Sequence, residues 1–178
     1  MSTSSHDDST HSSPDQLQDA AATHRIVARR GDGSAYQGDL LRDIVRYRNL
    51  RALSLAGGTF TDEQRSLLQS LEARVRQPLE EGSTTSESAL RSFYRFQCDF
   101  TASLRQEASG EESTVNVADI SAGGVKLVGT NAQELGDAVI IRFDRGSGDA
   151  VEFAARVAWA RDIEYGVMFA GAAQVRSS

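Results

Sequence analysis

Two short motifs in the second half of the chain have the residue types and spacing needed to hold a phosphate-bearing ligand. The first is Arg91-Ser-Phe-Tyr-Arg95, and the second is Asp119-Ile-Ser121-Ala-Gly-Gly124. The planar fork of an arginine binds phosphate oxygens through two parallel hydrogen bonds. The same fork matches the two acceptors, O6 and N7, on one edge of guanine. Two arginines on one short segment can therefore serve both chemistries.

The second motif offers hydrogen-bond acceptors and a residue without a side chain. Asp119 and Ser121 are two residues apart, so their side chains share one face of an extended segment. A carboxylate accepts hydrogen bonds from guanine N1–H and the N2 amine, and a hydroxyl can complete the set. Gly124 allows a turn or the close approach of a ligand. Each motif has a purely structural alternative: the arginines can cap a barrel or pair with acids, and D-x-S-x-x-G can be a self-satisfied turn.

The first half of the chain predicts a helical hairpin at residues 25–79, behind a tail. Residues 1–24 are rich in Ser, Thr, Asp and Ala, a composition typical of disorder. Apolar residues recur every three to four positions from Tyr36 to Leu55, and Gly57-Gly58 ends this first helix. Thr61 with a glutamine three residues on forms a capping box for a second helix. Its predicted apolar stripe has three members: Leu67, Leu71 and Val75.

Beyond a polar linker at residues 80–90, the apolar period changes to two. Residues 96–104 and 151–159 alternate strictly, and shorter apolar runs between glycine-containing turns lie between and after them. Six short strands with one apolar face each predict a mainly β fold, a six-stranded antiparallel barrel at residues 91–172. Closing the sheet removes its exposed edges. Residues 173–178 are then a short C-terminal tail.

The order and spacing of these features resemble the PilZ family, bacterial β-barrel domains that bind cyclic di-GMP. The family signature is R-x-x-x-R followed, after one strand pair, by [D/N]-x-S-x-x-G. The resemblance covers roughly residues 88–172 and includes Tyr165-Gly-Val-Met-Phe169, which is similar to the G-V-x-F that ends many such domains. It implies a ligand-closing loop and a guanine-binding turn, with these ligand contacts: Arg91, Arg95, Asp119, Ser121 and Gly124. Leu90, in place of a further arginine, indicates one ligand per protomer.

Charge and composition argue against several other classes of function. The net charge is −6. A protein that binds a nucleic acid polymer usually presents a basic face, so we expect neither DNA nor RNA as a partner. No apolar run is long enough to insert in a membrane, so we expect a cytoplasmic protein. The single cysteine, Cys98, alternates with apolar residues and is expected to be a small buried hydrophobe. The histidines cluster in or beside the tail: His6, His11 and His24. No enzyme, metal site or cofactor is predicted.

Two functions stay open from the sequence. One is a cyclic di-GMP receptor that relays the messenger to a protein partner through the hairpin, which can pack on its own barrel or on a second chain. The alternative is a ligand-independent adaptor that acts by protein–protein interaction. Within the first motif, Phe93 and Tyr94 can stack on a base or anchor the loop, and we expect anchoring. Trp159 is expected in the core or at the rim. The basic residues of the first helix form a solvated face or a docking surface: Arg42, Arg46, Arg48 and Arg51.

Overall fold

The computed structural model describes residues 27–76, 92–129, 133–145 and 149–177. The predicted tail at residues 1–24, the linker at residues 80–90 and Arg91 lie outside the described residues. The helices are Leu40–Leu55 (α1) and Asp62–Val75 (α2). The strands are Arg29–Arg30 (β1), Phe96–Gln106 (β2), Glu112–Ile120 (β3), Gly124–Val128 (β4), Ala138–Asp144 (β5), Asp149–Arg161 (β6), Glu164–Phe169 (β7) and Gln174–Ser177 (β8).

Six of the strands close an antiparallel barrel, as the alternating pattern predicts. Their order is β2-β3-β4-β7-β6-β5, and β5 pairs back with β2. Alternate residues of each strand point inward, and the inward set includes Leu104, Val117, Ile141 and Phe153, each at most 1% exposed. The predicted mainly β fold, with two helices ahead of a six-stranded barrel, is confirmed.

Two short strands extend the sheet beyond the barrel. β1 pairs with the beginning of β2, where Arg30 faces Phe96. β8 pairs with the beginning of β6, where Val175 faces Val151. The structure therefore differs from the predicted tail at residues 173–178, because residues 174–177 form β8. β8 has only four residues and its one apolar side chain, Val175, is 56% exposed. The sequence of β8 therefore shows no alternation of apolar and polar residues that would predict a strand.

Helix α1 packs on the protein's own barrel. It begins at Leu40 rather than at the predicted Tyr36, because Gly38 has a φ of +123° and Asp39 is the N-cap. The Asp39 carboxylate accepts a hydrogen bond from the backbone N–H of Arg42 at 3.0 Å. The buried stripe of α1 joins the barrel core: Leu40, Leu41, Ile44 and Val45.

Helix α2 has the predicted start but a different apolar face. Thr61 Oγ1 accepts from Gln64 N–H at 3.2 Å, and Gln64 Oε1 accepts from Thr61 N–H at 3.0 Å, which confirms the capping box. Leu67 is 38% exposed, so its place in the stripe is wrong. Leu68 packs inward with Leu71 and Val75. Four-residue steps drift around a helix of 3.6 residues per turn, whereas steps of three and four stay on one face.

A buried carboxylate fastens the two helices together. Asp43 on α1 accepts hydrogen bonds from Tyr36 Oη at 2.7 Å and from Arg74 Nη1 of α2 at 2.9 Å. Burial and the hydrogen bond to Asp43 raise the pKa of Tyr36 well above its usual value.

Within the described ranges, neither helix has the length and apolar character required to cross a membrane.

Candidate ligand site

The two sequence motifs meet on the outside of the barrel. Arg95 directly precedes β2, and Asp119 on β3 lies opposite Gln97 of β2. Arg95 Nη1 is 3.3 Å from Asp119 Oδ2, a salt bridge across two segments that are distant in sequence. The side chains are 42% and 17% exposed, respectively. The guanidinium is therefore open to a ligand, and the carboxylate is partly covered.

Two β-bulges explain why Asp119 faces outward. The pairing of β2 with β3 shifts between Gln97 and Phe100, and the pairing of β3 with β4 shifts between Val117 and Asp119. In a regular strand, Val117 and Asp119 would share one face. Val117 is 1% exposed in the barrel core, whereas Asp119 forms its ion pair at the surface. A bulge re-aims a side chain in this way, and bulges are frequent beside functional sites.

Ser121 is engaged by the turn that follows β3. Its hydroxyl donates to Gly124 O at 3.1 Å and accepts from the N–H groups of Gly123 at 3.3 Å and Gly124 at 3.2 Å. The side chain is buried, unlike that of Asp119. These contacts match the self-satisfied turn that the sequence leaves open. The direct ligand contact of Ser121 stays a prediction.

Gly124 is needed because another strand passes close to it. A Cβ atom at this position would lie 2.1 Å from the carbonyl oxygen of Val167 on β7. Any larger residue would push β4 away from β7 or force β7 to shift. In this structure the close approach is made by backbone, and a ligand contact at Gly124 also stays a prediction.

A row of paired residues continues from Asp119 across the outer surface of the barrel. Asp119 pairs with Lys126, Lys126 with Gly166, and Gly166 with Trp159. Paired residues on neighbouring strands share a face. The indole of Trp159 lies over Gly166, where a Cβ would be 2.1 Å from Nε1, and it is 36% exposed at the rim. Lys126 Nζ pairs with Glu164 at 2.9 Å. Only strand register reveals this row, so sequence reasoning missed Lys126.

The aromatic residues inside the first motif anchor it to the helices, as expected. Phe93 packs edge-on against Tyr47 of α1, with ring centroids 5.8 Å apart. Tyr94 N–H donates to the carbonyl of Val75, at the end of α2, at 2.9 Å. Phe93 belongs to a small apolar group, the seam cluster, which is separate from the barrel core and joins both helices to both motifs. Its members are Tyr47, Leu50, Leu68, Leu71, Val75, Phe93 and Ala122.

Arg48 of α1 clamps the second motif and the end of β7. Its guanidinium donates to the carbonyl oxygens of Ala122 at 2.8 Å, Phe169 at 3.1 Å and Gly171 at 3.0 Å. Burial lowers the pKa of Arg48. The interpretation of the α1 arginines as a solvated face or docking surface is therefore wrong for Arg48. Nothing in the sequence distinguishes Arg48 from the other arginines of α1, so this role had no sequence signal.

Cys98 lies beside the candidate site without taking part in it. The side chain packs against the barrel core and is partly buried. Burial raises the pKa of Cys98 to about 12, and the nearby carboxylates of Asp119 and Asp99 act in the same direction. The thiol is thus protonated at neutral pH.

Comparison with known proteins gives the family. Residues 89–176 match the family model described as the PilZ domain. A similar solved structure is the crystal structure of the PilZ domain of CeSA from a cellulose-synthesizing bacterium, at 18% identity and a TM-score of 0.38. The alignment covers 43% of this chain and 79% of that chain. No curated protein matches the chain. Residues 89–176 of this chain are therefore a PilZ domain, a member of a family of cyclic di-GMP-binding effectors.

Proposed function

We propose that this protein is a cytoplasmic cyclic di-GMP receptor that relays binding to a protein partner through its helical hairpin. The supporting observation is the Arg95–Asp119 ion pair. It presents one charged group from each motif, 3.3 Å apart, on the outer surface of the barrel. The protein acts by binding, without catalysis and without a cofactor.

The ligand carries groups complementary to both members of this pair. The Asp119 carboxylate accepts from guanine N1–H and the N2 amine, and Arg95 binds a phosphate or the O6 and N7 edge. Exposed ion pairs contribute about 0–1 kcal/mol. Each charge-assisted hydrogen bond to the ligand contributes about 1.5–3 kcal/mol. Exchanging the internal pair for two ligand contacts is therefore favourable.

The remaining motif residues support this exchange. Ser121 and Gly124 fix the turn that follows Asp119, through the hydroxyl contacts and the close packing on β7. A direct contact from Ser121 would require its hydroxyl to leave the Gly124 carbonyl. Arg91 is the proposed second arginine for the phosphates, by its position in the R-x-x-x-R motif.

The proposed relay uses the seam cluster rather than the linker alone. Movement of Arg95 toward a ligand displaces the neighbouring Phe93 and Tyr94, which touch Tyr47 and Val75 of the helices. The hairpin surface beyond the cluster, where Leu55 is 81% exposed, is the surface that we propose the partner contacts.

The direct test is calorimetric titration of the full chain with cyclic di-GMP, with GTP as the ligand control. We expect wild-type binding and a loss of about 10- to 150-fold in Arg95→Ala and in Asp119→Ala. Arg105→Ala removes an exposed arginine at the other end of β2 and is the matched control, with unchanged affinity. A flat trace from folded wild-type protein would contradict the receptor and leave the ligand-independent adaptor. Undiminished binding in Arg95→Ala would refute the assignment of the arginine.

The same titration tests the stoichiometry. Leu90 in place of a further arginine predicts saturation at one ligand per chain. Saturation at two ligands would refute that prediction while leaving the receptor function standing.

A further inference from the structure

A cavity of about 260 Å³ lies between the helical hairpin and the barrel, beside Phe93. None of the D-x-S-x-x-G residues lines it, although Arg48 in its wall donates a hydrogen bond to the carbonyl of Ala122. Its lining comes from α1, the end of α2, the first motif and the loop after β7. The polar groups are contributed by Tyr47, Arg48, Arg51, Arg76, Ser92 and Gly171.

The cavity carries positive charge that the described part of the chain compensates poorly. Within the described residues, Arg48 donates its hydrogen bonds to carbonyl oxygens, which bring no negative charge. Arg51 makes no hydrogen bond or ion pair with any described residue. Arg76 Nη1 has one acid nearby, the Glu72 carboxylate of its own helix, at 3.8 Å. Among the described residues, the cavity therefore brings three guanidiniums together with one nearby carboxylate.

The ring of Tyr47 lines the cavity together with the three arginines. Burial raises the pKa of Tyr47, the positive charges of Arg76, Arg51 and Arg48 act in the opposite direction, and the Glu72 carboxylate acts with burial. All three guanidiniums thus act on one ring in the cavity wall. A partly buried site strengthens such fields, because fewer water molecules screen them.

We propose that this cavity is a second anion site, which binds one phosphate group between the hairpin and the barrel. Arginine forks bind phosphate oxygens bidentately, and the Ser92 hydroxyl adds a donor. At about 260 Å³ the cavity is below the range of about 300–1,000 Å³ that is usual for drug-sized ligands. It therefore fits a single phosphate group rather than a whole cyclic dinucleotide. A phosphate there bridges α1, the end of α2 and the first motif, and stabilises the docked hairpin.

The test is a titration of the full chain with inorganic phosphate, monitored by amide NMR. A parallel titration with sodium chloride at matched ionic strength is the control. We expect saturable shifts at Ser92, Phe93 and Gly171 that sodium chloride does not reproduce. Arg51→Ala should weaken binding by about tenfold or more. The control is Arg46→Ala, which removes an exposed arginine of the same helix outside the cavity and should bind within twofold of wild type. Shifts that do not saturate, or equal binding in the two variants, would overturn the site.

Two further arms separate this site from the proposed receptor function and identify the source of the phosphate. Asp119→Ala should bind inorganic phosphate like wild type, even if cyclic di-GMP binding is lost or was never present. Loss of phosphate binding in Asp119→Ala would overturn a separate site. When cyclic di-GMP is added to phosphate-saturated protein, displacement of phosphate indicates that the dinucleotide supplies the group. Simultaneous binding indicates a free phosphate compound. Both outcomes support a phosphate site in the cavity.

Discussion

The barrel core and the seam cluster are packed in different ways. The barrel core is an apolar interior in which Phe153 stacks on Phe169 with centroids 4.2 Å apart and meets Phe143 edge-on at 5.7 Å. The seam cluster is small and is bordered by charge-assisted hydrogen bonds, chiefly those of Arg48. The barrel core takes Ile120 from the second motif and has Tyr94 of the first motif packed against it, whereas the seam cluster takes Phe93 and Ala122. The seam cluster also holds residues of both helices, so a ligand at the motifs can alter the hairpin through it.

The largest effect is expected from the barrel core. Phe153 is fully buried, so Phe153→Ala should lower the free energy of unfolding by about 3–5 kcal/mol. Urea unfolding followed by circular dichroism measures this, and helix and strand signals should be lost together because α1 packs on the same core. A decrease in the free energy of unfolding below about 1 kcal/mol would show that the aromatic stack contributes little to stability.

A smaller effect is expected where α1 clamps the second motif. Arg48→Ala leaves the carbonyls of Ala122, Phe169 and Gly171 without their donor, and should cost about 1.5–3 kcal/mol. Arg48→Lys keeps the charge but not the fork, so it should restore only part of the loss. Hydrogen exchange of the α1 amides gives the local readout. Exchange and stability equal to those of Arg46→Ala would contradict the clamp.

Phe93→Ala sharpens the comparison, because it changes the seam cluster without touching the barrel core. Phe93 is partly buried, so the expected loss of stability is about 1–3 kcal/mol, below that of a core phenylalanine. Cyclic di-GMP should still bind at Arg95 and Asp119, while the ligand-induced changes in the α1 and α2 amide signals are reduced. Hairpin changes as large as those of the wild type would show that the relay does not pass through the seam cluster.

Cys98 should have the smallest effect on the stability of the fold, and its burial is tested through the reactivity of its thiol. With its pKa raised to about 12 from an ordinary value of 9.0, its thiol should alkylate on the order of 10- to 100-fold more slowly at pH 8 in the folded chain than in the unfolded chain, because the scarcer thiolate is partly offset by its higher nucleophilicity. Because the folded pKa is the higher one, this group favours folding below about pH 9. That contribution is lost as the pH rises toward 12. Mass spectrometry of timed alkylation measures the rate, and equal rates would contradict the burial of the thiol.

The regular parts of the fold could be predicted from the sequence, and the parts that depend on register could not. Period-two alternation identified β2 and β6, and the Thr61 capping box identified the start of α2, because these signals are local. β1 and β8 have two and four residues, too few for a pattern.

The candidate site could be predicted only at the level of residue types. The two motifs named the charged groups that meet at Arg95 and Asp119. The outward aim of Asp119 depends on two bulges, and the place of Arg48 depends on how α1 packs. Both are tertiary features that no short segment encodes. Ser121 shows the converse, since a motif residue chosen for ligand chemistry is held by its own turn.

The most direct test of a receptor that signals through its hairpin is an amide NMR titration of the full chain with cyclic di-GMP. Signals from Asp119 and Gly123 report on the site, and signals from Tyr47 and Leu71 report on the hairpin. We predict that both sets shift with the same midpoint, because the seam cluster joins them. A well-dispersed spectrum in which neither set shifts would contradict the account.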